Sequence, residues 1–126
     1  MGHAEVLIAG LLVAVAGLSG VARLLSVPYP IECNDSPACV FRRHTGRQFA
    51  EMVIDQFDEM LDQSKKYPLV FSVALHPFII GQPFRLRAFR RAMEHILAHR
   101  DDLWITTPGE IARYCASLPA GTVPGS

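Results

Sequence analysis

Apolar residues occur along the chain in two alternating forms, short unbroken runs and stripes at helical spacing. The run "LLSVPYP" (24–30) is stopped by two prolines, as expected of a strand end and a rigid loop. Residues 31–46, "IECNDSPACVFRRHTG", hold the turn formers Asn34, Asp35, Ser36 and Pro37 and predict a loop. Thr45 and Gln48 then stand at capping-box spacing. Phe49, Met52, Val53, Phe57, Met60 and Leu61 follow at helical intervals, which predicts a helix over 46–63. "LVFSVAL" (69–75) is apolar without alternation and predicts a strand buried on both faces, as in a parallel sheet. Pro83 fits the first turn of a second helix. Its inner stripe is predicted at Leu86, Phe89, Met93, Ile96 and Leu97, with Arg85, Arg87, Arg90, Arg91 and Glu94 off it. "LWIT" (103–106) is a third strand, and Thr107-Pro108-Gly109-Glu110 opens a third helix.

The order β-α-β-α-β-α is that of parallel α/β architecture: three consecutive β-α units forming a small open sheet with unpaired edges. With 126 residues the chain has room for one small domain, which the pattern places at 24–118. The tail 119–126 is built of Pro, Gly and Ser with few apolar anchors, and is expected to be disordered.

Residues 1–23 are of another kind. The stretch "VLIAGLLVAVAGLSGVA" (6–22) carries no charge and lies at the short end of the length that spans a bilayer. It suits a signal or short anchor, and "AVAG" offers a small-residue cleavage site, but "MGHAE" before it lacks the Lys or Arg of a signal's leading region. A buried apolar helix is a second reading. A non-native start, from a shifted or misplaced initiation, is a third.

Charge adds an exclusion. Twelve basic residues balance twelve acidic ones, so nothing global favours nucleic acid or an anionic membrane surface. Three cysteines, Cys33, Cys39 and Cys115, have no CxxC spacing and suggest neither a disulfide framework nor a zinc cage.

The candidate chemistry centres on His76, where the apolar run 69–75 gives out. Ligands bind at the carboxyl ends of strands in parallel α/β proteins, and a histidine there can serve as general acid or base. A strand-end histidine satisfied by a backbone carbonyl is the plainer alternative. Asn34 and Asp35, in the loop after the first strand, would face the same end. They offer an amide and a carboxylate for substrate polar groups, or an ordinary Asx turn. His95 and His99 share a helix face at i, i+4, but no further ligand has metal-site spacing, so a solvated face is expected. The arginines of the second helix likewise read as a solvated surface, and Cys115 as core.

The stretch "FSVALHPFIIGQPFRLRAFRRAMEHILAHRDDLWITTPGEIARY" (71–114), with "LLSVPYPIECND" (24–35) before it, resembles the C-terminal region of the polysaccharide deacetylase superfamily. Within it, the allantoinase-like branch is nearest: Leu75-His76, Gly81-x-Pro83 and the ending from Trp104 to Tyr114 stand in order. The resemblance implies the C-terminal portion of a distorted (β/α) barrel and hydrolysis of a non-peptide carbon–nitrogen bond. It implies that His76 is the general acid protonating the leaving amine, and that Asn34 and Asp35 lie near the substrate. Complete members bear an early Asp-Asp motif and a His-x-x-x-His motif that supply the base and the ligands of a divalent metal. Residues 1–23 contain no equivalent of either, so this chain is expected to hold no metal and to be inactive alone. A saccharide or small-molecule substrate, and a complementing chain or oligomer, are the partners so implied. The competing expectation is a binding module without catalysis, held at a membrane through residues 6–22.

Overall fold

The computed structural model of the chain describes residues 30–66 and 68–122, together with the backbone of Val6–Ala9. The predicted first strand at 24–30 therefore lies outside the described residues except for Pro30, as do residues 10–22 of the apolar segment and the end of the tail. Residues Pro119 to Thr122 form a turn, closed by the Thr122 amide donating to the Pro119 carbonyl at 3.1 Å. Among the described residues no helix is long and apolar enough to cross a membrane.

Three parallel strands, β1 (Val6–Ala9), β2 (Val70–Phe71) and β3 (Leu103–Thr106), are arranged in the order β2-β1-β3. Leu7 stands opposite Val70 on one side and Trp104 on the other. Four α-helices are present among the described residues: α1 (Gly46–Gln63), α2 (Pro77–Ile80), α3 (Pro83–Leu97) and α4 (Pro108–Ser117). A π-helical segment, Ser36–Phe41, precedes α1, and a 3-10 turn, Arg100–Asp102, leads into β3.

The helices start where the side chains satisfy their first amides. The Thr45 hydroxyl accepts from the Gln48 amide at 3.1 Å, and the Gln48 side chain accepts from the Thr45 amide at 2.9 Å, closing the capping box of α1. Helices α2, α3 and α4 each open on proline, whose missing N–H costs nothing there. Thr107 caps α4 by accepting from the Glu110 amide.

Helices α1 and α3 pack against each other over one core. Phe49 and Phe89 stack across it with ring centroids 6.1 Å apart, and Phe57 meets Phe71 edge-on at 5.7 Å. Residues Phe71 to Leu75 are all buried, but of the strand expected over 69–75 only Val70–Phe71 pairs as one, with Ala74 in an isolated bridge beyond it. The buried stripe of α3 is Ala88, Phe89, Ala92 and Ile96. Leu97, expected on that stripe, is instead 51% exposed, because one residue beyond Ile96 turns it about 100° away from the core. A smaller cluster gathers Val70, Trp104 and Cys115 around Ile111.

Candidate active site

The segments around Asn34 and Ala74 are joined by a single parallel bridge, with the Ala74 amide donating to the Cys33 carbonyl at 3.0 Å and the Asp35 amide to the Ala74 carbonyl at 3.1 Å. Each segment then bends at once into helix. Pro37 lies in the first turn of the π-helical segment after Asp35, and Pro77 opens α2 after His76. The parallel register thereby brings two residues 41 positions apart to the same end of the pair.

Asp35 and His76 meet there. One carboxylate oxygen, Oδ2, accepts from the His76 backbone amide at 2.8 Å, while Oδ1 lies 2.6 Å from His76 Nδ1. The Asp35 side chain is 0% exposed and that of His76 18%. A carboxylate only accepts, so the Nδ1 proton is the one that fills this contact, and Nε2 is left for exchange with a ligand. Asp35 is the capping residue of the π-helical segment, yet its side chain makes no cap bond. Both oxygens are committed to His76 instead. The ring of Phe78 stands edge-on to the imidazole at 5.8 Å and is itself 73% exposed, forming an apolar flank to the histidine.

Asn34 uses its amide locally. Oδ1 accepts from the Ser36 backbone at 3.1 Å, the Asx turn read as one alternative from the sequence, and Nδ2 donates to the Pro30 carbonyl at 3.3 Å. The three residues singled out in the sequence are thus neighbours. Asp35 and His76 are in direct contact, while the polar atoms of Asn34 are engaged by its own loop. The pairing itself carries no sequence signal beyond the expectation that both loops face the same end, because strand register decides it.

The other candidates lie elsewhere. His95 and His99 are near the end of α3, about 18 Å along the helix axis from its start beside α2. They are half-buried rather than solvated: His95 Nε2 is 2.6 Å from Asp58 Oδ1 on α1, and both rings pack on Phe57. Among the described residues no three His, Cys, Asp or Glu side chains are grouped to hold a metal. At the Asp35–His76 pair the donor set does not suit one either, since Oδ2 is taken by the His76 backbone amide and Oδ1 by Nδ1. Cys33, Cys39 and Cys115 are free thiols. Burial pushes the Cys33 thiol up, helped by the charge of Glu32. Burial also raises Cys39, with Arg85 drawing it down and Asp35 adding to the rise.

No family model matches the chain. It is similar to a Schizosaccharomyces pombe protein named "Putative polysaccharide deacetylase", 30% identical over 92 residues. The similarity covers 71% of this chain and 28% of that protein, so the chain spans less than a third of the length of its relative. This likeness supports the polysaccharide deacetylase superfamily.

Proposed function

We propose that the chain is the C-terminal portion of a carbon–nitrogen hydrolase built on a distorted (β/α) barrel, with His76 as its general acid and Asp35 as the residue that positions it. The observation that carries this reading is the two-point contact of a fully buried carboxylate with the histidine's amide and Nδ1. It fixes the ring and leaves Nε2 as the proton donor. In amide hydrolysis the attacking water gives a tetrahedral intermediate, and cleavage of its C–N bond needs a proton on the departing nitrogen. His76 Nε2–H supplies that proton, and the Asp35 carboxylate stabilises the imidazolium that carries it. The substrate is an N-acetylated sugar or a cyclic ureide of the allantoin kind.

Activating the water requires a base and a polarising group, and the described residues bring no such set together around His76. The chain by itself is therefore expected to be inactive. Purified protein incubated with N-acetylated chitooligosaccharide or allantoin should release neither acetate nor ring-opened product. Turnover that disappears in His76→Ala would overturn the expected inactivity. The parent-enzyme reading has a separate check in the upstream DNA, read in all three frames. It stands if a frame there encodes the Asp-Asp and His-x-x-x-His motifs, and falls if none does.

A further inference from the structure

Away from the Asp35–His76 pair, the turn before α1 and the first half of α3 line an open cleft of about 840 Å³. Arg43 and Arg47 line it from one side, and Arg85, Arg87 and Arg91 from the other. No Asp or Glu is part of its lining. None of the five guanidinium groups belongs to an ion pair among the described residues. Arg85 is held in place, donating from Nη1 to the Ile79 carbonyl at 3.2 Å and lying 4.6 Å over the Phe84 ring. His44, also in the wall, has Nδ1 buried without a hydrogen-bond partner. The first turn of α1, with Gly46 and Arg47 in the lining, adds the positive end of an eighteen-residue helix.

Five like charges lining one cleft with no counter-charge in its wall repel one another, and an anion seated among them relieves that repulsion. Planar guanidinium groups match the oxygens of a phosphate in pairs, which lysines do not. The volume is that of a small-molecule site. We propose that this cleft binds a small ligand carrying clustered oxyanions, of the pyrophosphate class. The inference is independent of the hydrolase reading, because it uses neither His76 nor Asp35.

Isothermal titration of the full chain with pyrophosphate in 0.15 M NaCl tests it, with inorganic phosphate as the single-anion comparison. Pyrophosphate should bind at one saturable site, more tightly than phosphate. The variant R47Q/R91Q should weaken it at least tenfold. The control R42Q/R90Q removes the same charge from arginines outside the cleft and should leave binding within twofold. Far-UV circular dichroism confirms the fold of each variant. If the double variant loses its helical spectrum, the single substitutions R47Q and R91Q take its place, each expected to weaken binding severalfold. Absence of saturable binding to the wild-type chain, phosphate binding as tightly as pyrophosphate, or equal weakening in test and control variants would each overturn the proposal.

Discussion

Asp35 holds His76 at two points, its carboxylate accepting from the backbone amide at 2.8 Å and contacting Nδ1 at 2.6 Å. Asp35→Ala leaves both donors without their acceptor in a site where Asp35 itself is wholly buried. A loss of about 2–3 kcal/mol in urea-unfolding stability is expected. His76→Ala removes the Nδ1 contact but keeps the backbone amide on Oδ2, so one oxygen of the buried carboxylate loses its partner and a cost of similar size is expected. Asp35→Asn keeps an acceptor oxygen and should cost less than either. Equal stability of Asp35→Ala and the wild type would show that the contact contributes nothing to holding the ring.

Gly46, the first residue of α1, lies against Arg85 in the first turn of α3. A Cβ there would lie 2.8 Å from the Arg85 Cα, a backbone atom that has no room to yield. Alanine is the better helix former by up to about 1 kcal/mol, but overpacking of this kind typically costs about 1–3 kcal/mol. The steric effect should win, making Gly46→Ala the less stable protein in denaturant. A stabilised variant would mean that the helices separate freely at this point.

The buried thiols Cys33 and Cys39 give the fold an alkaline weakness. Their pKa is raised from the ordinary value of 9.0 by burial, so the folded state keeps protons that the unfolded state sheds. The sign follows from linkage. The stabilisation is complete below pH 9.0 and falls as pH rises above it, because the unfolded chain then binds fewer protons than the folded one. Urea midpoints measured between pH 8 and 10 should therefore fall more steeply for the wild type than for a Cys33→Ala/Cys39→Ala variant. Parallel profiles would remove the thiols from the explanation. In the native protein at pH 8, alkylation should reach the half-exposed Cys115 before either buried cysteine.

Much of the helical layer was legible in the sequence because local chemistry specifies it. Thr45 and Gln48 mark the start of α1, whose span Gly46–Gln63 matches the predicted 46–63, and Pro83 and Pro108 open α3 and α4 as their positions suggested. The loop 31–46 was harder. Proline and Asx residues announce a turn but do not distinguish an irregular loop from the π-helical segment Ser36–Phe41, which depends on longer-range carbonyl contacts such as Arg42 to Pro37. For the site, His76 and Asp35 were both visible as candidates, but their contact was not, since it arises from the register of Asn34 against Ala74. The arginine cleft was hidden for a similar reason. Arg85, Arg87 and Arg91 read as a solvated face until packing sets Arg43 and Arg47 opposite them.

The main-chain bridge between Asn34 and Ala74 also bears on the order in which the protein assembles. It closes a loop that contains all of α1, across the 41-residue separation of Asp35 and His76. Closing a loop of that length costs roughly 3 kcal/mol in chain entropy, which the bridge's two hydrogen bonds alone do not offset. Packing of α1 on the core must come with it or before it. The histidine clamp is therefore a late and sensitive reporter: a substitution anywhere along the α1–α3 seam that loosens the core should first be seen as a freed imidazole.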